Sequence, residues 1–241
     1  MSATPTQVTE ILAALLSDHD RGGLPLPAGL VALCARSLAV GGVGMALMTD
    51  AGPAGTLAAS DARARTLEDL QFSLGEGPCV DASQGGRPVL QPDLAQTGGR
   101  RWPVFAAAAA DAGLAAVFAF PLRVGGIRLG VLDLYRTTAG VLAADELGLA
   151  LSFADAATAV LLHLQARAAG RGPPLGSLAV LDDHAEVHQA TGVVSVQAGV
   201  PLQEALLLLR ARAYAEQRPI DALARDVLSG VVDFDDDVEG G

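Results

Sequence analysis

The chain has 241 residues, enough for one large domain or two ordinary ones, each with its own apolar core. Its net charge of −11 argues against indiscriminate binding to nucleic acid or to an anionic membrane surface. The longest uncharged apolar run, residues 112–122, is far shorter than the roughly 20 residues that span a bilayer. No basic segment precedes an apolar stretch at the start, so we expect no signal peptide and no membrane partner. Two cysteines make no disulfide framework, and we expect a cytoplasmic protein.

The first part of the chain alternates helical and extended patterns. Apolar residues at helical spacing and an alanine run predict four helices, over residues 6–17, 30–40, 62–70 and 103–112. Short strands are predicted over residues 43–49 and 56–60, on either side of a hairpin-like turn. Residues 72–93 are predicted to be irregular, with one extended piece at 88–91.

The clearest strand pattern covers residues 114–124 and 127–136, which flank Gly125 and Gly126. A two-glycine connection suits a primed hairpin turn. In the first strand Phe118 and Phe120 lie on one side, and small side chains lie on the other. The bulky face should pack under helices. The small face leaves space for a ligand or for a closely packed element, and the sequence leaves both open.

A long helix is predicted over residues 142–168, followed by a glycine- and proline-rich segment that is typical of a domain boundary. Helices around strands joined as hairpins predict an α+β domain with an antiparallel sheet, and the last part of the chain is all helix. The predicted units are residues 1–169, a linker at 170–176, a three-helix domain at 177–232 and a frayed acidic tail at 233–241.

The three predicted terminal helices have small residues where their axes would cross: Ala190, Gly192, Ala205, Ala213 and Ala224. Helix one covers roughly residues 183–198, helix two runs from Pro201 to about 216, and helix three follows Pro219. The leucines of residues 206–209 occupy all sides of a helix. At least one must therefore leave the core and contact the first domain, a second subunit or solvent.

Several residues have both a functional and a structural interpretation. Cys79 follows a glycine-proline turn, as a redox-sensing thiol can, but we favour a small buried hydrophobe. The separation of Glu76 and Asp133 is not fixed, so acid–base catalysis is unsupported. Trp102 is either a domain anchor or a platform for a ligand. His184 could bind a metal together with His188, but no third ligand has suitable spacing, so a surface pair and no metal site are expected.

Residues 187–227 resemble an ANTAR domain, the RNA-binding antiterminator module of bacterial regulators. The matching positions are Ala190-Thr191-Gly192, Gly199, Glu204-Ala205, Leu209-Arg210, Ala213 and Ala224. Residues of about 26–168 resemble a GAF domain of the kind that precedes ANTAR in actinobacterial regulators. The matching pieces are Phe72 to Cys79, Arg87-Pro88-Val89, Asp93-Leu94, Arg101-Trp102-Pro103, Phe120-Pro121-Leu122 and Leu132 to Tyr135.

The resemblance implies a sensor domain coupled to a helical module that binds tandem RNA stem-loops and prevents a transcription terminator from forming. Such a protein is not an enzyme. The RNA contacts that it implies are Gln189, Thr191, Arg210, Arg212 and Arg218. The candidate ligand pocket of the sensor domain contains Glu76, Cys79, Trp102 and Asp133. Whether this domain binds a small-molecule ligand is left open, and no cofactor is identified.

The terminal unit holds few arginines and more acids, which bears on how it would bind RNA. Each phosphate contact contributes counterion release, so we expect modest affinity and binding only as a homodimer. The long helix could pack on the first helix and a second subunit, or within one chain only. Two alternatives remain: a protein-binding regulator with an acidic helical output, and a GAF-type redox enzyme. The enzyme would need a resolving thiol near Cys79, and Cys34 is distant in sequence.

Overall fold

The computed structural model describes residues 5–49, 52–171 and 184–235, without the side chains of 168–171. The helices are α1 (Pro5–Asp20), α2 (Leu26–Ser37), α3 (Ala62–Leu74), α4 (Pro78–Gly85), α5 (Gly99–Arg101), α6 (Pro103–Asp111), α7 (Ala144–Arg171), α8 (Ala185–Gln197), α9 (Leu202–Ala215) and α10 (Ile220–Leu228). The strands are β1 (Gly42–Thr49), β2 (Gly52–Ala59), β3 (Val89–Gln91), β4 (Ala116–Val124) and β5 (Ile127–Arg136). A π-helical turn, Leu94–Gly98, leads into α5.

The strands form one five-stranded sheet in the order β2-β1-β5-β4-β3, and every neighbouring pair is antiparallel. The predicted two-glycine hairpin joins β4 to β5, with Val124 opposite Ile127 and Phe120 opposite Leu132. Helices cover the sheet, and further helices follow it. The predicted α+β class, with an antiparallel sheet flanked by helices, is confirmed.

The two faces of β4 differ in what packs on them. Phe118, Phe120 and Leu122 belong to the core that the sheet forms with α1, α2 and α7. Val117 and Ala119 belong to the opposite core, together with residues of α3, α4 and α6. Small side chains let α4 lie close to the strand, so the face is covered by a closely packed element.

Helix α4 corrects the prediction that residues 72–93 are irregular. Gly77 precedes it with φ +133°, Pro78 occupies its first turn, and Gly86 ends it in the left-handed region with φ +61°. Proline in the first turn and glycine just past the end are the ordinary signals of a short helix. The helix is amphipathic over only eight residues, too few for a clear period in the sequence.

Helix α7 continues to Arg171, beyond the predicted end and into the predicted linker, whose residues 172–176 lie outside the described residues. By length and composition alone, its residues 144–167 could cross a membrane, and α8 with α9 would qualify only across a bend of 107°. Phe153, Ala157 and Leu161 of α7 are buried against the sheet. That burial is typical of a core helix.

Helices α8, α9 and α10 enclose a core of their own. Ala190, Ala205, Ala213 and Ala224 are buried in it, as the predicted helix crossings require. Gly192 does not lie at a close helix crossing, because a Cβ at this position would have no neighbouring atom within 4 Å. The prediction of a frayed tail from residue 233 is wrong at its start, since Phe234 is 2% exposed and closes this core. Residues 236–241 lie outside the described residues.

Candidate functional site

The small-residue face of the sheet holds a cluster of buried polar groups. Glu68 and Gln71 enter it from α3 and Asp133 from β5, and none is more than 2% exposed. The Gln71 amide nitrogen donates to Asp133 Oδ2 at 3.2 Å, and its oxygen accepts the Cys79 backbone N–H at 2.8 Å. One glutamine therefore connects β5 to the start of α4.

Glu68 and Asp133 form a carboxyl pair that resists double ionisation. Burial raises the pKa of Glu68 well above its ordinary value, and the neighbouring Asp133 charge raises it further. Burial raises the pKa of Asp133 to about 7. The two carboxyl groups lie close enough for a proton on Glu68 to be donated to Asp133. At neutral pH the pair therefore holds a proton.

Gly44 of β1 makes room for this pair. It lies opposite Asp133 in the sheet. A Cβ at residue 44 would lie 2.0 Å from Glu68 Oε1 and 2.8 Å from Glu68 Cδ. Such contacts are too short for a packed interior, so the Glu68 carboxyl reaches the sheet only because residue 44 has no side chain.

The four predicted pocket residues do not meet in one place. Glu76 Oε1 accepts the backbone N–H groups of Val104 and Phe105 at 2.8 and 2.7 Å, which fixes the first turn of α6. Trp102 is 2% exposed, and its indole N–H donates to Asp81. Both are structural contacts. Cys79 and Asp133 are joined through Gln71, and Trp102 lies in the same core as Cys79.

Cys79 is fully buried, as is Cys34. Burial raises the pKa of the Cys79 thiol well above its ordinary value, and the charges of Asp133 and Glu68 act in the same direction. A thiol in that state is a poor nucleophile. Cys79 packs on the small-residue face of the sheet and Cys34 on the opposite face, so the sheet separates the two sulfurs.

A second feature is the contact between the sheet domain and the terminal helices, which centres on Phe72. This residue lies near the end of α3, yet its ring is part of the core of the three-helix unit. It stacks on the His184 ring at 3.7 Å with an interplanar angle of 6°, and the His188 ring meets its edge at 5.7 Å. His188 Nε2 also lies 2.7 Å from the carbonyl oxygen of Ala54.

Arg210 crosses the same contact from α9. Its Nη2 donates to the Phe72 carbonyl at 2.6 Å, and its guanidinium carbon lies 5.6 Å from the Phe72 ring centroid. Burial lowers the pKa of Arg210 to about 10. The turn at Gly75, with φ +65°, admits the arginine, because a Cβ there would lie 2.8 Å from Nη1. The sequence analysis left a contact between α9 and the first domain open, but it did not assign Phe72 or Arg210 to that contact.

The five predicted RNA contacts differ in their exposure and in their partners. Gln189 is exposed, whereas Thr191 is 6% exposed and donates to the Val187 carbonyl, so Thr191 offers no surface for RNA in this arrangement. Arg210 is occupied in the domain contact described above. Arg212 pairs with Glu216 and lies over the Phe234 ring. Arg218 pairs with Glu216 and Asp226.

The leucine run divides between core and surface. Leu206 and Leu209 are buried, Leu208 is partly buried, and Leu207 is 63% exposed. Leu207 borders a groove of about 810 Å³ between the end of α3 and helices α9 and α10. Tyr214, seven residues on and also 63% exposed, lines the same groove. The leucine that leaves the core therefore faces a partly enclosed surface.

The histidine prediction is wrong. A surface pair was expected, but His184 is 5% exposed and His188 is partly buried. Among the described residues, no three His, Cys, Asp or Glu side chains are grouped so that they could hold a metal ion.

The sequence analysis also missed Glu68, Gln71 and Phe72. The available signal was the helical stripe of Ala64, Leu67, Glu68 and Gln71, since an acid and an amide in an apolar stripe indicate buried polar contacts.

Comparison with known proteins identifies the first part of the chain. A family model described as the GAF domain matches residues 23–162. The GAF domain of a phosphoenolpyruvate-protein phosphotransferase from Acinetobacter is similar, with 13% identity, a TM-score of 0.49, and coverage of 70% of this chain and 95% of that one. Its counterpart from Coxiella burnetii has 15% identity, a TM-score of 0.49, and coverage of 68% and 98%. A type II free methionine-R-sulfoxide reductase from Thermoplasma acidophilum has 12% identity, a TM-score of 0.42, and coverage of 65% and 95%.

No curated protein matches the chain. The GAF model covers more than half of the sequence and spans α2 to the middle of α7, which includes the whole sheet and the carboxyl pair. The chain belongs to the GAF domain family.

Proposed function

We propose that the chain is a cytoplasmic, signal-responsive regulator whose terminal three-helix unit binds tandem RNA stem-loops and acts in transcription antitermination. The GAF domain is the sensor, and its signal is a small molecule of unidentified class. The observation that carries the proposal is the compact unit after the sensor, in which Ala190, Ala205, Ala213 and Ala224 lie where the ANTAR-like spacing requires small residues.

The arginines of this unit limit how it would bind RNA. Arg212 and Arg218 are partly exposed but already paired with Glu216, and Arg218 also with Asp226. A phosphate must replace these carboxylates, so the net gain per contact is small. Gln189 remains exposed for hydrogen bonds to bases. We therefore propose modest affinity that depends on two units in a homodimer acting on paired stem-loops.

The test is a fluorescence anisotropy titration of the full chain with a tandem and a single stem-loop RNA at low salt. Binding that prefers the tandem RNA supports the proposal. The double variant R212A/R218A should weaken binding to both RNAs, and D226N, which removes one carboxylate partner of Arg218, should strengthen it. R100A removes an exposed arginine from the sensor domain and should change little. Absence of binding by the wild-type chain at low salt would refute RNA recognition.

A protein partner is the second candidate, and the paired arginines favour it. Where guanidinium groups are neutralised by neighbouring acids, an anionic polymer gains little, whereas the exposed side chains of Leu207 and Tyr214 suit an apolar contact. Charge reversal separates the candidates. R212E/R218E should abolish RNA binding and need not affect a protein partner.

An enzymatic role has less support. A thiol redox cycle needs a nucleophilic cysteine and a resolving thiol within reach. Cys79 is buried with a raised pKa, and Cys34 lies on the other face of the sheet. We propose a non-enzymatic sensor. Thiol titration of the native chain, with a turnover assay on oxidised methionine, tests this: rapid modification of one thiol together with turnover would contradict it.

A further inference from the structure

The groove of about 810 Å³ beside the domain contact has walls from both parts of the molecule. Leu74 at the end of α3 and Val104 of α6 belong to the sensor side. Leu207, Ala211 and Tyr214 of α9 belong to the side of the three-helix unit. The volume lies within the range of about 300–1,000 Å³ that is typical of small-molecule sites. A molecule in this groove would therefore touch both parts at once.

Arg210 lines the same groove and has no counterion. Among the described residues, its Nη2 alone has a hydrogen-bond partner, the Phe72 carbonyl. Its Nε is buried without a partner. Burial lowers the pKa of Arg210 to about 10, and no carboxylate acts in the opposite direction. A partly buried cation without a counterion is costly, so an anion bound beside the guanidinium would be stabilised.

The other charged side chains that line the groove already have partners in the described part of the chain. Arg218 pairs with two carboxylates of its own unit. Glu76 accepts two backbone N–H groups of α6, and Asp221 faces His184. Arg210 is thus the lining group whose charge is left for a ligand, and most of the remaining lining side chains are apolar.

We propose that this groove binds a small carboxylate with an apolar body, and that the carboxylate pairs with Arg210. The apolar body lies along Leu207 and Tyr214, whose side chains are exposed in the empty groove. Because the walls come from both parts, the ligand favours the closed domain contact. This inference concerns the groove alone and holds whether the partner of the three-helix unit is RNA or protein.

The test is isothermal titration calorimetry of the full chain with octanoate and with 1-octanol, which has the same chain length without the charge. Ligands of about ten non-hydrogen atoms should bind with a Kd of roughly 0.1–1 mM. The wild type should bind octanoate about tenfold more tightly than 1-octanol. R210Q should remove this preference. R218Q changes an arginine of the same groove that is already paired, and it should keep the preference.

Hydrogen–deuterium exchange of the full chain tests whether the ligand bridges the two walls. With octanoate at about ten times its Kd, protection should rise by up to about tenfold in residues 73–76 and in residues 207–214. Slower exchange on one wall alone would contradict the bridging position.

A second variant covers the case in which R210Q opens the domain contact. A211W adds a bulky ring from an exposed position on the groove and leaves Arg210 in place, so it should block both ligands without unfolding the chain. Equal binding of octanoate and 1-octanol by the wild type, or unchanged octanoate binding by A211W, would overturn the proposal. Loss of octanoate binding as the chain dimerises, followed by light scattering, would also overturn it and would assign the groove to a second copy.

Discussion

The buried carboxyl pair makes a prediction about stability, because Asp133→Asn should flatten its pH dependence. The folded state raises the pKa of Asp133 from 3.8 to about 7 through burial. The folded chain therefore holds a proton that the unfolded chain has lost between these pH values. Stability is greatest at the acid end of this window and falls as the pH rises through it.

The size of the effect follows from the width of that window. One pKa unit corresponds to about 1.4 kcal/mol. A window of about three units therefore lowers the free energy of unfolding at pH 8 by at most about 4 kcal/mol. Asparagine has nearly the same shape, and its oxygen can still accept from Gln71. D133N also removes the charge that raises the pKa of Glu68. We expect D133N to be more stable than the wild type at pH 8, with a smaller difference at pH 5.

The assay is urea unfolding at pH 5, 6, 7 and 8, followed by circular dichroism. D155N, which changes an exposed acid on α7, is the matched control and should follow the wild-type curve. A wild-type stability that is constant or rises from pH 5 to pH 8 would show that the pair is not buried as described. Parallel curves for D133N and the wild type would show the same.

Three further substitutions test the contacts around the sheet and the domain contact. Gly44→Ala should destabilise the sensor domain by about 2 kcal/mol, because the new methyl group overlaps the Glu68 carboxyl, and a thermal melt would show it. Phe72→Ala should cost about 3–5 kcal/mol and expose the three-helix core, which faster hydrogen exchange in α8 would report. Glu76→Ala removes the acceptor from two N–H groups of α6 and should cost about 1–2 kcal/mol in urea unfolding, whereas an unchanged midpoint would contradict the capping role.

The fold could be predicted where a pattern repeats along the chain. Alternation from Phe118 to Leu122 and the glycine pair after Val124 specify the central hairpin, because strand period and turn chemistry are local properties. Helix α4 was missed because eight residues with glycine at each end give little periodicity. Whether the small-residue face of β4 meets a ligand or a packed element depends on where α4 lies. That position is a tertiary property, which the local sequence does not give.

The candidate site was less predictable because its residues are distant in sequence. Glu68 and Asp133 meet because α3 packs mainly on β2 and β1 and also reaches β5, and no local pattern encodes that packing. Phe72 and Arg210 are 138 residues apart. The histidines were expected at the surface because four-residue spacing on a helix gives no information about what lies opposite. The sequence could place each helix face, but not the partner against which it packs.

Arg210 connects the proposed function to the domain contact. Its Nη2 donates to the Phe72 carbonyl, and burial in the contact lowers its pKa, so the closed contact leaves the guanidinium little access to an RNA phosphate. If RNA binds the open form more tightly, linkage requires that RNA loosen the contact by the same factor. Addition of tandem stem-loop RNA should then speed hydrogen exchange in residues 69–75 of the wild type. R210A should bind RNA without that coupling, because the variant lacks the guanidinium that contacts Phe72 in the closed form and would contact RNA in the open form. RNA that binds the wild type but leaves exchange at residues 69–75 unchanged would separate RNA recognition from docking.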